Sequence, residues 1–283
     1  MVLPFTTRFQ TARVAIKRAG EDWDQVGDQA LFYWDSIVAI PRALRLYKKE
    51  TLRLIAEISM GTGALAMIGG TVVVVGFLTL FTGGTIAVQG YSSLANIGVE
   101  ALTGFFSAFI NVRIAVPVIA GIALAATIGA GATAQLGAMR VSEEIDALET
   151  MAISSIPYLV STRIVAGMIA IIPLYSLASL SAFVASRFAT VVIYGQSSGV
   201  YDHYFNTFLI PSDILWSFVQ AICMAIAVML IHTYYGYNAD GGPVGVGVAV
   251  GNAVRASLVV VVVITLLTSL AIYGADGKFN LAG

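Results

Sequence analysis

This 283-residue chain contains five long apolar stretches, and they constrain its fold more than any other feature of the sequence. About 20 apolar residues are enough to cross a bilayer as a helix. Hydrophobic residues make up 58% of the chain and charged residues only 11%, whereas soluble domains carry roughly 25% charged residues. The sequence therefore predicts an all-α polytopic membrane protein. Its five transmembrane helices are expected at residues 61–82, 114–138, 159–188, 214–235 and 255–273.

The distribution of Lys and Arg predicts the orientation of these spans, because cytoplasmic loops carry an excess of basic residues. Nine of the 15 basic residues precede the first predicted span. Arg140, Arg163 and Arg255 lie at span ends on the same side, which leaves three for the other side. Because five is an odd number of spans, we expect a cytoplasmic N-terminus and an external tail at residues 274–283.

The region before the first span, residues 1–60, is basic and partly amphipathic. Residues 29–58 predict an elbow helix at the cytoplasmic membrane surface, which Pro41 breaks or bends. Its apolar face is formed by Leu31, Phe32, Trp34, Ile37 and Val38. A soluble tail is the alternative interpretation of this segment. Residues 1–28 are expected to form a basic amphipathic helix or to be partly disordered.

Two further segments have ambiguous patterns. Residues 92–111 carry an apolar face interrupted by Glu100, which is compatible with a short or re-entrant sixth span or with a helix on the outer leaflet. A sixth span would invert everything after it and remove the charge asymmetry, so we favour the outer-leaflet helix. The glycine-rich run at residues 241–247 lacks the Lys-Ser/Thr pair of a phosphate-binding loop, and we expect a tight cytoplasmic turn there.

An acidic loop joins the second and third predicted spans. Its acids are Glu143, Glu144, Asp146 and Glu149. At helical spacing Ile145, Leu148 and Met151 form one stripe, and Glu143, Asp146 and Glu149 form the stripe beside it. This pattern predicts a short amphipathic helix at the membrane surface. Either its acids are simply solvated, or the helix offers an acidic and apolar surface to a soluble partner.

The second predicted span carries small residues at every fourth position. They are Gly121, Ala125, Gly129, Thr133 and Gly137. Such a seam lets two helix backbones approach closely. The sequence leaves open whether the seam packs inside the subunit or against a second subunit.

Two long runs of this sequence resemble the signatures of MlaE/YrbE permeases, the membrane subunits of lipid-transporting ABC systems. They are GATAQLGAMRVSEEIDALETM, which contains the acidic loop, and YYGYNADGGPVGVGVAVGNAVRASLV near the C-terminal end. The segments KKETLRLIAEISMGTGALAMIGG and VQGYSSLANIGVEALTGFF are most similar to B-type YrbE subunits of actinobacterial Mce systems.

The resemblance implies a permease subunit of an ABC importer for a fatty acid, mycolic acid, sterol or phospholipid. It also implies three partners: an A-type YrbE permease in a heterodimer, a cytoplasmic ABC ATPase dimer, and an Mce-protein hexamer outside. The ATPase would grip a coupling helix made of Glu143, Glu144, Ile145, Asp146, Leu148, Glu149 and Met151. The alternatives are a non-transporting scaffold that anchors an Mce-type assembly and an intramembrane enzyme acting on lipid.

The residues favour a transport subunit over an enzyme. His203 and His232 are the only histidines, and their positions do not suit a shared metal site. No predicted span has an Asp, Glu or Lys near its middle, whereas ion-coupled carriers usually need such groups or broken helices there. We therefore expect no catalytic residues, no metal, no cofactor and no nucleic-acid partner, and an energy source on another subunit.

Overall fold

The computed structural model describes residues 26–60 and 70–274, and every regular element within these ranges is a helix. The predicted all-α fold is therefore confirmed. Predictions for residues 1–25, 61–69 and 275–283 fall outside the described ranges. The helices are α1 (26–38), α2 (Ile40–Leu46), α3 (Lys48–Met60), α4 (Thr71–Ala95), α5 (Glu100–Val141), α6 (Glu144–Thr150), α7 (Ile156–Ile193), α8 (Ser198–Phe208), α9 (Pro211–Tyr237) and α10 (Gly242–Tyr273).

Within the described ranges, five helices are long and apolar enough to cross a membrane: α4, α5, α7, α9 and α10. This number agrees with the five spans expected from the sequence. The core lies where α5, α7 and α9 meet, and its largest buried side chains include Leu124, Tyr175 and Met224. α4 packs on α7 and α10 packs on α9 at the edges of the bundle.

The first span lies further along the chain than the sequence predicted. The expected range was 61–82, whereas α4 runs from Thr71 to Ala95. The prediction stopped at the polar Thr-Gly-Gly-Thr run, but the hydroxyl groups of Thr82 and Thr85 donate to carbonyl oxygens one turn earlier, at 2.7 and 2.8 Å. Because the helix itself satisfies these groups, they do not end it.

Residues 92–111 do not form the separate outer-leaflet helix that was expected. The first part ends α4 and the second part begins α5. The turn between them closes at Gly98, which has a φ of 73°, and the Val99 amide donates to the Leu94 carbonyl at 3.0 Å. This is the Schellman pattern that commonly ends a helix at glycine. α5 then runs for 42 residues, about 63 Å if straight, so an upright α5 extends beyond a hydrocarbon layer of about 30 Å.

The last helix also begins earlier than expected. The predicted glycine turn is shorter than the 241–247 run, because α10 already starts at Gly242. Within residues 241–247, only Gly241 and Gly242 have positive φ, at 77° and 72°. A Cβ at Gly245 would lie 1.5 Å from the Asp240 carbonyl oxygen, which explains a glycine at this position in the first turn. The predicted span began at Arg255. In the structure Arg255 lies about 20 Å along α10 from the first residue of the helix.

Residues 26–60 form three helices, α1 to α3, where the sequence predicted an amphipathic helix over residues 29–58 that Pro41 breaks or bends. α1 ends before Ala39, and Pro41 lies in the first turn of α2, where proline is well tolerated. Ser36 is fully buried and its carbonyl accepts a hydrogen bond of 2.8 Å from the Ser161 hydroxyl of α7. The opposite face of α1 leaves Leu31 and Trp34 about two-thirds exposed, so α1 is amphipathic as the sequence suggested.

The bundle has two chemically different ends. We call the first the acidic end; it holds α1, α6 and the turn between α9 and α10. The other end holds α8 and the turn between α4 and α5. Two ion pairs join helices there, Arg113 with Asp213 at 2.7 Å and Arg187 with Asp202 at 2.8 Å. The first of these pairs is mostly shielded from solvent, with both side chains 15% exposed.

Candidate functional site

α6 is a short helix set off from α5 and α7 by two sharp turns. Glu143 precedes it with a φ of 60°, and Ala152 follows it with a φ of 59°. Residues other than glycine rarely adopt this left-handed conformation, and each instance costs about 1–3 kcal/mol. The Ser142 hydroxyl donates to Glu144 Oε1 at 3.0 Å and supports the first turn. The two turns hold α6 at the edge of the acidic end, where its acids face outward.

Ile145 fastens α6 to the rest of the chain. It is fully buried and packs with Leu136 of α5 and Leu159 of α7. Leu148 is half-buried against the same small cluster, whereas Met151 is 63% exposed. The apolar stripe predicted from the sequence is therefore divided: Ile145 and Leu148 serve internal packing, and Met151 alone remains available to a partner.

This division predicts different effects for two truncations. Ile145→Ala removes buried methyl groups and should lower the free energy of unfolding by about 2 kcal/mol. Met151→Ala should change it by less than about 0.5 kcal/mol, because the side chain is exposed. Thermal unfolding of both purified variants in detergent measures the difference. Equal loss of stability in the two variants would contradict the packing described for α6.

The acids of α6 form an exposed negative surface. Glu143, Glu144 and Asp146 are all exposed. Asp146 Oδ1 accepts a hydrogen bond of 2.8 Å from Arg140, but the two side chains are 59% and 39% exposed, so this ion pair adds little stability. One arginine against four acids leaves the surface negative. Such a surface suits a basic groove on a soluble partner.

Glu149 differs from the other acids because its carboxylate is held by neighbouring helices. Glu149 Oε1 accepts a hydrogen bond of 2.6 Å from the Ser155 hydroxyl and a longer one of 3.4 Å from the Tyr237 hydroxyl of α9. The Ser155 and Tyr237 oxygens are themselves 2.8 Å apart. The stripe of acids thus contains two members that face solvent, Glu143 and Asp146, beside one that ties α6 to the bundle.

A cleft opens beside α6 at the acidic end. Its volume is about 560 Å³. One wall belongs to α1 and α2, with Asp35, Val38 and Arg42, and the other belongs to the segment from Ala152 to Pro157. The cleft brings α6 next to the N-terminal helices. No short-range sequence pattern predicts this proximity, because the two regions are about a hundred residues apart along the chain.

The small-residue seam of α5 packs against helices of the same chain. A Cβ on Gly129 would lie 2.5 Å from the His232 ring of α9, and one on Gly137 would lie 2.9 Å from Val246 of α10. Gly121 faces Met224 and Val261. Ala125 and Thr133 are fully buried. The seam therefore packs inside the subunit, which was one of the two alternatives left open by the sequence.

Buried polar groups connect the spanning helices at two places. Near the acidic end, the Thr133 hydroxyl lies 2.7 Å from His232 Nδ1. Near the other end, the Asn111 amide donates to Ser107 and Ser186 at 3.1 and 3.0 Å. All of these side chains are fully buried. They link helices in an apolar setting, and no cluster of metal-ligating side chains occurs among the described residues.

The matching family model is that of the permease MlaE, and it covers residues 60–271 of this chain. The chain belongs to the MlaE permease family. Curated relatives include a probable ABC transporter permease protein of Rickettsia bellii, which is 32% identical over 164 residues, or 54% of this chain and 60% of the relative. Two further relatives come from a plant and a red alga.

The plant relative is the chloroplastic protein TRIGALACTOSYLDIACYLGLYCEROL 1 of Arabidopsis thaliana, 29% identical over 50% of this chain and 41% of that protein. The algal relative is the probable ABC transporter permease protein ycf63 of Porphyra purpurea, 32% identical over 46% of this chain and 50% of that protein. The chain therefore spans 60% or less of the length of these relatives. Its membership of the MlaE permease family rests on the family model, which matches most of the chain.

Proposed function

We propose that this MlaE-family permease is the membrane subunit of an ABC-type lipid importer, and that α6 is the element on which a cytoplasmic ATPase docks. The observation that carries the proposal is the geometry of α6. Ile145 anchors the helix internally, while Glu143, Glu144, Asp146 and Met151 face outward. An ABC permease needs such a contact, because it does not hydrolyse ATP itself.

The charge distribution supports a cytoplasmic position for the acidic end. Basic residues of α2 and α3 lie near it, since the Tyr47 ring between these helices contacts Tyr158 at the start of α7, with centroids 4.9 Å apart. These basic residues are Arg42, Arg45, Lys48, Lys49 and Arg53, and they give this end the excess of basic residues that the positive-inside rule predicts for the cytoplasmic side. The exposed apolar face of α1, with Leu31 and Trp34, then suits the cytoplasmic membrane surface.

Two observations support a lipid as the cargo. The spanning helices expose much apolar surface. In α10 only 11% of the most apolar 18-residue stretch is buried within the chain. Exposed side chains such as Val259, Leu266 and Leu270 line that helix and would contact lipid or a second permease subunit. The name of the Arabidopsis relative also refers to a galactolipid. The cargo would be a fatty acid, mycolic acid, sterol or phospholipid.

The partners follow from the same proposal. An ATPase dimer would bind at the acidic end, a homologous A-type YrbE permease would form the second half of a heterodimer, and a hexamer of Mce proteins would bring lipid from outside. The Mce assignment is supported by the resemblance of residues 48–70 and 88–106 to B-type YrbE subunits. A scaffold that anchors an Mce assembly without transport would bind the Mce proteins but no ATPase.

Cysteine labelling in intact cells tests the orientation. In a Cys223→Ser background, Asn206→Cys on α8 should react with a membrane-impermeant maleimide, and Glu144→Cys on α6 should react only after the cells are permeabilised. Both positions are exposed, so accessibility depends on the side of the membrane alone. Labelling of Glu144→Cys in intact cells, with Asn206→Cys protected, would overturn the proposed orientation and with it the cytoplasmic docking of α6.

A further inference from the structure

Tyr237 is the last residue of α9 and contacts two other parts of the acidic end at once. Its hydroxyl lies 2.8 Å from Ser155 Oγ and 3.4 Å from Glu149 Oε1, and the Ser155 hydroxyl donates to Glu149 at 2.6 Å. Through these bonds the hydroxyl of Tyr237 reaches α6. The 2.6 Å bond joins Glu149 of α6 to Ser155 just before α7, and the 2.8 Å contact between the Ser155 and Tyr237 oxygens continues this chain of hydrogen bonds to α9, so the network resists separation of α6 from α9.

The ring of Tyr237 faces α1. The centroids of Tyr237 and Phe32 are 5.5 Å apart, and Phe32 lies 5.4 Å from Tyr234 on the same turn of α9. Tyr33 adds a second contact with Tyr234, with centroids 6.0 Å apart. Aromatic pairs at these separations contribute beyond their buried area. Burial also raises the pKa of Tyr33 to about 12.

We propose that Tyr237 is a positioning residue that makes α6, the end of α9 and α1 move as one unit. The hydroxyl fixes α6 and the ring fixes α1, so a displacement of α6 by a docked ATPase passes to the N-terminal membrane-surface helix as well as to the spans. The functional half of this inference rests on the proposed function. The mechanical half concerns this chain alone, and the two are tested separately.

The mechanical half is tested by the distance between spin labels on α1 and α6. Leu31→Cys and Glu144→Cys are both exposed sites and are labelled in a Cys223→Ser background, with the full-length chain in phospholipid nanodiscs. The parent protein should give one narrow distance distribution. Tyr237→Phe keeps the ring and removes the hydroxyl, and it should raise the population outside the main peak roughly threefold to tenfold, as expected for one lost hydrogen bond.

Two controls separate the link from general loosening. Tyr235→Phe changes the same group two residues earlier, where the ring contacts Tyr234, and should leave the distribution unchanged. Ser155→Ala should broaden it as Tyr237→Phe does, and the double variant should be no broader than either single variant, because both residues belong to one network. A parent-like distribution for Tyr237→Phe, or broadening by all variants alike, overturns the proposal.

The functional half uses the label at Leu31→Cys together with a second label at Asn206→Cys, in the complex with the P-loop ATPase that co-purifies with this permease from native membranes. On addition of ATP and vanadate, the label on α1 should shift relative to one at Asn206→Cys in the parent complex. In Tyr237→Phe the shifted population should fall roughly threefold to tenfold, while the ATPase still co-purifies. A parent-like shift in the variant refutes transmission through Tyr237. If the parent chain binds no ATPase, the proposed function is refuted instead. The distances between α1 and α6 measured without ATPase then still test whether Tyr237 links the two helices.

Discussion

The double charge reversal Glu143→Lys with Asp146→Lys is expected to reduce co-purification of the ATPase at least about tenfold at low salt. Both side chains are exposed, with Glu143 directly before α6 and Asp146 within it. Asp146 has only the solvent-exposed contact with Arg140, so it is not needed to hold the helix. The variant replaces attraction to a basic groove by repulsion, which changes association rate and affinity together. The measurement is the amount of ATPase retained on the immobilised permease across a salt series.

Salt and position provide the controls for this prediction. Exposed charges interact over about 10 Å at 0.1 M salt and over about 3 Å at 1 M, so the difference between parent and variant should narrow as salt rises. Asp240→Lys introduces a charge reversal at the same end of the bundle but outside α6, at an exposed position, and should retain nearly all of the ATPase. Parent-level retention in the double variant would mean that the acids of α6 are only solvated.

The second large effect is expected at Gly83 in α4. A Cβ at this position would lie 2.4 Å from the carbonyl oxygen and 2.6 Å from the Cα of Ala182 in α7. Because these atoms belong to the backbone of Ala182, they cannot rotate away as a side chain could, and α4 must move away from α7. The Ser186 hydroxyl, which donates to the Gly83 carbonyl at 2.8 Å, would lose its partner as well. Gly83→Val should therefore cost about 3 kcal/mol or more.

The adjacent glycine is a matched control for that substitution. A Cβ on Gly84 would meet nothing within 4 Å, so Gly84→Val adds the same side chain to the same helix without a clash. Thermal unfolding midpoints and detergent-solubilised yields of both variants measure the effect. Gly83→Val should unfold well below the parent protein and Gly84→Val close to it. Equal midpoints would show that α4 and α7 are not in close backbone contact.

Hydropathy predicted the number of spans correctly because each spanning helix must satisfy its backbone internally and face an apolar environment over a fixed length. It placed the boundaries of three spans poorly, namely both ends of α4, the start of α5 and the start of α10. α4 continues through Thr82 and Thr85 because their hydroxyls bond to the helix itself. α10 begins at Gly242, although the run that follows is rich in glycine. The missing side chain at Gly245 leaves room for the Asp240 carbonyl oxygen, so the first turn of the helix can form there.

The candidate site was predictable in its local part only. Helical spacing placed the acids of α6 on one exposed face, since that pattern depends on neighbours along the chain. It did not show that Ile145 turns inward to Leu136 and Leu159, nor that Glu149 is held by Ser155 and Tyr237. Those contacts depend on how α5, α7 and α9 pack together. The spacing of residues within one short segment cannot predict that packing.

Photo-crosslinking from α6 tests the central claim most directly. The photoreactive amino acid p-benzoylphenylalanine is placed at Met151, which is 63% exposed, and at Leu215 near the other end of the bundle, which is 70% exposed. After irradiation of intact cells and purification of the permease, Met151 should crosslink to a P-loop ATPase, and Leu215 should crosslink to lipid or to membrane partners without it. Crosslinks from Met151 to lipid alone would contradict the account and leave α6 as a helix that lies on the membrane surface.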